Sequence, residues 1–130
     1  MINSPKKLYI NKSSIHGWGV FAKEKIYNGE IIEECVILSL PIQKGEVSGL
    51  LCDYRFNFPS GNEWSEQVIA LGFGSLYNHS DEPNAFWYSN DTKRTFIFEA
   101  KRDIEPGEEI FVYYGDHNYW NDGRSHVEIK

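Results

Sequence analysis

The stretch Gly72-Phe73-Gly74-Ser75-Leu76-Tyr77-Asn78-His79-Ser80-Asp81-Glu82-Pro83-Asn84 has the period of neither a helix nor a strand. It places seven polar side chains behind a short apolar run. Its end has the chemistry of a turn, because Asn and Asp side chains bond their own backbone and Pro fixes φ. Asn78 and His79 directly follow an apolar pair, which predicts that both are drawn inward. A purely structural interpretation is that Asn78 is a buried hydrogen-bonding residue and His79 a core histidine with satisfied nitrogens.

Length and composition predict one globular domain. A chain of 130 residues with 41% hydrophobic side chains can bury a substantial core, and it is short for two domains. Aromatic residues make up 15% of the chain, enough to suggest surfaces lined by rings. We expect a single domain over residues 1–130, with its core in about residues 8–120 and a polar tail over residues 121–130.

The charge of the chain restricts its partners. Thirteen basic and nineteen acidic side chains give a formal net charge of −6. Such a surface repels a phosphate backbone and attracts a segment rich in lysine or arginine. We therefore expect no direct binding to nucleic acid.

The cysteines and the apolar runs predict an intracellular, soluble protein without a metal site. Cys35 and Cys52 are the only cysteines and show no CxxC spacing, so neither a zinc cluster nor a disulfide framework is indicated. The longest apolar run, over residues 69–73, is far too short to cross a membrane.

The apolar and turn patterns predict a mostly β protein. Alternating apolar and polar residues at 53–58 indicate a half-buried edge or groove wall. The turn at residues 90–93 predicts a hairpin between its two flanking strands. The expected strands are residues 8–10, 20–22, 30–38, 67–73, 85–89, 95–99 and 109–114.

One strand-turn-strand pattern occurs twice. The segment Ala22-Lys23-x-x-Ile26-x-x-Gly29-Glu30-x-Ile32 recurs as Ala100-Lys101-x-x-Ile104-x-x-Gly107-Glu108-x-Ile110. Asn28-Gly29 in the first copy and Pro106-Gly107 in the second are turn signals. Chance and shared turn chemistry are an alternative explanation, so the repeat serves here only as support for an all-β core.

Three motifs in a fixed order point to a family. They are His16-Gly17-Trp18-Gly19-Val20-Phe21-Ala22, Asn78-His79-Ser80-x-x-Pro83-Asn84 and Gly107-Glu108-Glu109-Ile110-x-x-x-Tyr114-Gly115. With these motifs the chain resembles the SET-domain protein lysine methyltransferases over about residues 8–120. Its length and the phrases Leu71-Gly72-Phe73-Gly74 and Tyr114-Gly115-Asp116 are most similar to the minimal stand-alone SET proteins of large algal viruses and some bacteria.

The resemblance implies a fold and an activity. The fold is the SET-domain β-clip, several small sheets with a C-terminal pseudoknot in which the chain end passes under the segment holding Asn78 and His79. The activity is methyl transfer from S-adenosylmethionine to a lysine amine. The implied catalytic residues are Tyr114, with Tyr54 and Tyr119 as further walls of a lysine channel. The implied cofactor-binding residues are His16, Gly17, Trp18, Gly19, Asn78, His79, Tyr114 and Trp120.

The same resemblance implies the partners. A basic, lysine-containing protein or peptide, such as a histone tail, is the expected substrate, and a homodimer is the expected assembly. The compartment would be the cytoplasm, or the host nucleus if the protein is viral. The alternative from another functional class is a SET-like module that binds peptides and methylates nothing.

Overall fold

The computed structural model describes residue 2 and residues 5–40, 55–60 and 65–114. In these ranges it contains nine strands and one 3-10 helix, Gly74–Leu76. The described part of the chain contains no helix that is long and apolar enough to cross a membrane. The strands are β1 Leu8–Lys12, β2 Trp18–Ala22, β3 Ile31–Ser39, β4 Arg55–Phe58, β5 Glu66–Ala70, β6 Asn78–His79, β7 Ala85–Asn90, β8 Thr95–Ala100 and β9 Phe111–Val112.

The strands form three sheets. The largest has five strands in the order β4-β5-β3-β8-β7, β1 pairs antiparallel with β2, and β6 pairs parallel with β9. The predicted hairpin is present as β7 and β8, and β4 is an edge strand as its alternating sequence indicated. The prediction of a mostly β fold of several small sheets is therefore confirmed.

The core follows from the alternation along β8. Phe96 and Phe98 point inward and are fully buried, because successive side chains of a strand face opposite sides of its sheet. Phe56 from the edge strand packs on both rings, with ring centroids 5.1 and 6.4 Å away. On the other side Tyr77 stacks on Phe98 at 4.4 Å, which joins the core to the segment that carries Asn78 and His79.

The two copies of the repeated pattern pair with each other. Ile26 and Ile104 exchange two backbone hydrogen bonds, of 2.9 and 2.7 Å. The flanking bonds are also reciprocal: Gly29 N–H donates to the Ala100 carbonyl at 2.9 Å, and Gly107 N–H donates to the Ala22 carbonyl at 2.8 Å. The repeat is thus a local two-fold arrangement, and it brings the N-terminal strands against the C-terminal motif.

The last predicted strand is shorter than expected. Residues 109–114 were expected to be extended throughout, but only Phe111–Val112 is a strand, with an isolated bridge at Glu109. Side chains also bond the backbone of this region: Phe111 N–H donates to Asn84 Oδ1, and Tyr114 N–H donates to His79 Nδ1. Asn78 and His79, which lie in a stretch without the period of a strand, form β6.

Replacing the glycine of either turn by alanine should destabilise the fold by a similar amount. Gly29 and Gly107 have φ of 83° and 88°, and no heavy atom of the described residues lies within 4 Å of an added Cβ at either position. The loss is therefore purely conformational, about 1–2 kcal/mol of unfolding free energy for each variant. Urea unfolding measures it. Asn28→Ala is the control because Asn28 does not have a positive φ. An unchanged unfolding midpoint for both glycine variants would contradict the claim that their positive φ disfavours alanine.

Candidate functional site

Asn78 joins three separate segments of the chain. Its side-chain amide nitrogen lies 3.1 Å from the His16 carbonyl, 3.2 Å from the Trp18 carbonyl and 2.8 Å from Glu109 Oε2. The residue is buried, so these bonds replace those that water would otherwise make. The structure thus brings together the predicted residues of the first two motifs, and the structural interpretation of Asn78 as a buried hydrogen-bonding residue also holds in this state.

Glu109 is a site residue that the sequence interpretation missed. Besides Asn78, its carboxylate accepts a 2.7 Å hydrogen bond from Ser13 Oγ. The same carboxylate leaves no room beside Gly19, because an added Cβ there would clash with Oε2 and lie 2.9 Å from Cδ. The motif of two adjacent acidic residues, Glu108 and Glu109, was the only available signal. A side chain at position 19 would therefore have to displace this carboxylate from its bonds to Ser13 and Asn78.

The loop at Gly17 is exposed. Gly17 has φ of 48°, and no described atom lies within 4 Å of a Cβ built on it. The neighbouring Trp18 side chain is 56% exposed, and His16 is also exposed. The Gly-Trp-Gly sequence thus gives a positive φ at Gly17, a conformation that glycine adopts without strain.

His79 fixes the main chain of Tyr114. The imidazole is 2% exposed, its Nδ1 accepts the Tyr114 N–H at 2.9 Å, and its Nε2 lies 3.0 Å from Asp81 Oδ1. Since Nδ1 is the acceptor, the proton of the neutral ring lies on Nε2 and is donated to Asp81. The prediction of a satisfied, buried histidine is correct, and its partner is the predicted catalytic tyrosine.

The Tyr114 hydroxyl donates its proton to the main-chain carbonyl of Tyr77 at 2.6 Å. Its ring packs against His79, with centroids 5.2 Å apart. A phenol carries one proton. Because Tyr114 donates this proton to the Tyr77 carbonyl, its oxygen can bond a further group only as an acceptor. The structure therefore places this hydroxyl directly beside the segment that carries Asn78 and His79.

A buried carboxyl lies behind this segment. Glu33 accepts a 2.7 Å hydrogen bond from the Tyr77 hydroxyl and a 2.9 Å bond from the Phe73 backbone. Burial raises the pKa of the Glu33 carboxyl, and hydrogen bonds from Phe73, Tyr77 and the Cys35 thiol oppose the rise. Burial also raises the pKa of Tyr77, which keeps its phenol protonated as a donor. Sequence interpretation did not identify Glu33, because nothing in the sequence of β3 distinguishes it from the adjacent Glu34.

Three predicted site residues, Tyr54, Tyr119 and Trp120, lie outside the residues that the structure describes. Their roles stay predictions. In the part of the chain that is described, no group of three His, Cys, Asp or Glu side chains is arranged to hold a metal ion.

The Asn78 amide is surrounded by acceptors. Two main-chain carbonyls and one carboxylate converge on its nitrogen.

Comparison with known proteins identifies the family. The SET domain family matches residues 17–115, which is most of the chain and includes the second and third motifs and the first motif from Gly17 onward. The chain belongs to the SET-domain family. This SET-domain protein is 32% identical over 128 residues to the H3 lysine-37-specific histone-lysine N-methyltransferase of Schizosaccharomyces pombe, covering 96% of the chain and 83% of that protein. It is 30% identical to the histone-lysine N-methyltransferase MEDEA of Arabidopsis thaliana, covering 95% of the chain but 19% of that protein.

A solved structure supports the same assignment. The crystal structure of a candidate histone methyltransferase from Plasmodium falciparum superposes with a TM-score of 0.70 at 38% identity, covering 89% of this chain and 98% of that one. The predicted SET-type fold and the predicted class of enzyme, a protein-lysine methyltransferase, are confirmed by these relatives. Members of this family take their methyl group from S-adenosylmethionine. The pseudoknot stays a prediction, because the chain end lies beyond the described residues.

Gly19→Ala should cost about 1–3 kcal/mol of unfolding free energy, the usual range for overpacking a filled site. The cost should fall in a Glu109→Ala background, because the carboxylate that meets the new methyl group is then gone. Urea unfolding of the two single variants and the double variant gives the coupling. Strictly additive losses would show that Glu109 does not set the requirement for glycine.

Proposed function

We propose that this SET-domain protein transfers a methyl group from S-adenosylmethionine to a lysine amine in a basic protein segment such as a histone tail. Its relatives named as histone-lysine N-methyltransferases support this proposal. The observation that supports it most is the position of the Tyr114 hydroxyl, 2.6 Å from the carbonyl of Tyr77, the residue that directly precedes Asn78.

The residues of the N-terminal loop fit the cofactor. The carbonyls of His16 and Trp18, with the Asn78 side chain, would hold its amino acid group, and Gly17 would let the backbone lie close to it. The His79 main chain would contact the adenine part. When bound, S-adenosylmethionine supplies an electrophilic methyl group on a positively charged sulfur. The roles predicted for Trp120 in covering the cofactor and for Tyr54 and Tyr119 in walling the lysine channel remain part of this proposal.

The protein has to make the lysine a nucleophile. A lysine with an ordinary pKa near 10.4 is almost fully protonated at neutral pH and has no lone pair for attack. An aromatic channel removes water from the ammonium group and favours the neutral amine. The Tyr114 hydroxyl donates its proton to the Tyr77 carbonyl, so its oxygen can accept a hydrogen bond from the lysine amine. This bond would keep the lone pair of the amine nitrogen directed at the methyl carbon. Alignment of this kind needs no covalent enzyme intermediate.

The charge of the chain supports a basic substrate. A net charge of −6 attracts a segment rich in lysine. The substrate of the Schizosaccharomyces pombe relative, as its name states, is lysine 37 of histone H3. A histone tail is accordingly the first substrate to test.

The activity is tested by transfer of a radioactive methyl group from labelled S-adenosylmethionine to histones. Tyr114→Phe should lower kcat and kcat/KM together by about 10²-fold, the usual effect of removing one well-placed polar group from a water-poor site. Asn78→Ala should instead weaken cofactor binding first, as measured by calorimetry. Cofactor binding without transfer to any basic protein in a lysate would favour the silent peptide-binding module. Full turnover by Tyr114→Phe would contradict the role given to that residue.

We also propose that the chain forms a homodimer. Val36, Leu38 and Leu71 are exposed apolar side chains near one another, with the Leu71 N–H bonded to the Val36 carbonyl at 2.8 Å. Apolar surface of this kind favours association. Light scattering at micromolar concentration should give about twice the 15.1 kDa of one chain, and Leu38→Lys should shift the mass toward that of one chain. A wild-type mass of one chain would contradict the proposal.

A further inference from the structure

The buried carboxyl of Glu33 bonds the turn at residues 72–73, which precedes Asn78 and His79 in the chain. Glu33 on β3 is 4% exposed; it accepts a bond from the Tyr77 hydroxyl at Oε1, 2.7 Å away, and one from the Phe73 N–H at Oε2, 2.9 Å away. The turn is shaped around this carboxyl. Gly72 has φ of 78°, and a Cβ added to it would lie 2.5 Å from Oε2.

Tyr77 connects this carboxyl to the catalytic hydroxyl. The residue is 1% exposed and is held at both ends: its phenol donates to Glu33, and its main-chain carbonyl accepts the Tyr114 hydroxyl at 2.6 Å. Its ring stacks on Phe98 at 4.4 Å. The position of the carbonyl that orients Tyr114 therefore depends on where Glu33 holds the side chain of the same residue.

We propose that Glu33 is a positioning residue, which sets the orientation of the Tyr114 hydroxyl through Tyr77. The kinetic part of this proposal rests on the proposed function, and the structural part does not. Loss of the Tyr77 phenol removes one of the bonds that satisfy this buried carboxyl, and Tyr77 is then no longer held at its phenol end. A shift of Tyr77 moves its main-chain carbonyl, and with it the Tyr114 hydroxyl that donates to that carbonyl.

Tyr77→Phe is the sharpest test, because it removes one oxygen and keeps the ring that fills the core. We expect kcat to fall about 10-fold, since misplacement of a reacting group by a fraction of an ångström costs between a few-fold and 10²-fold. The KM for the peptide and the affinity for S-adenosylmethionine should change less than about 3-fold, because Asn78 keeps its own bonds to the His16 and Trp18 carbonyls and to Glu109.

The chain offers a matched control. Tyr88 donates to Glu99 at 3.0 Å, which is also a bond between a phenol and a carboxylate within the large sheet. Tyr88 and Tyr114 share no hydrogen-bonding partner among the described contacts. Tyr88→Phe should leave kcat unchanged. An equal loss of kcat in Tyr77→Phe and Tyr88→Phe would overturn the proposal, because general loosening of the sheet would then explain both.

A double-variant cycle separates positioning from simple destabilisation. If Glu33 and Tyr77 act through the Tyr114 hydroxyl, Tyr77→Phe should have no further effect on kcat in a Tyr114→Phe background. Losses that multiply would overturn the proposal. Glu33→Gln, which keeps one acceptor oxygen, should retain more activity than Glu33→Ala, and all rates are measured on protein shown to be folded by circular dichroism.

A final measurement does not depend on activity. Tyrosine labelled with ¹³C at Cζ reports the hydrogen bond of each phenol by NMR, and the Tyr114 signal is the one that Tyr114→Phe removes. We expect Tyr77→Phe to shift the Tyr114 signal and Tyr88→Phe to leave it unchanged. An unmoved signal in Tyr77→Phe would overturn the inference. If wild-type protein methylates no substrate, the proposed function fails, and this NMR comparison still decides the role of Glu33.

Discussion

Asn78 and His79 are polar side chains in the interior, and the surrounding structure is arranged to pair them. A buried polar group left without a partner costs about 1–3 kcal/mol. The partners come from opposite ends of the described chain: the His16 and Trp18 carbonyls bond Asn78, and the Tyr114 backbone bonds His79. Hydrogen bonds to both side chains therefore require the N-terminal loop and the C-terminal motif to meet at one place. That place is the candidate active site.

Backbone hydrogen bonds also join these segments. Pairing of Ile26 with Ile104 sets the two repeated turns against each other, and the Ile110 N–H continues the contact by donating to the Val20 carbonyl at 2.7 Å. Glu109 is thereby held next to β2, where its carboxylate reaches Asn78 and requires glycine at position 19. The precision of the site thus rests on paired strands and tight turns, which vary less in position than exposed loops.

Two carboxyl groups support the site from opposite sides. Glu109 accepts from Asn78 on the side of the N-terminal loop, and Glu33 accepts from Tyr77 on the side of the large sheet. In the proposed reaction neither group attacks or protonates the substrate. They hold the segment between them, and the oxygen proposed to orient the amine is that of Tyr114, which donates its proton to Tyr77 of the same segment. A reaction that needs in-line alignment rather than a strong acid or base suits this division of roles.

The sequence by itself determined the class of fold and the family. Alternating apolar residues and turn signals located most strands. Three motifs in order predicted the SET-type site with Asn78, His79 and Tyr114. Both kinds of signal are readable because each strand pattern and each motif is formed by residues close in the chain. The sequence did not reveal that β6 pairs with β9 or that the last strand is interrupted, because Asn84 and His79 bond its backbone from distant positions. It also did not reveal the positions of Glu33 and Glu109 behind the site. Only the tertiary structure decided these points, because the partner of a buried carboxyl is set by which distant segments pack together, and a single acidic residue in a strand carries no signal of that partner.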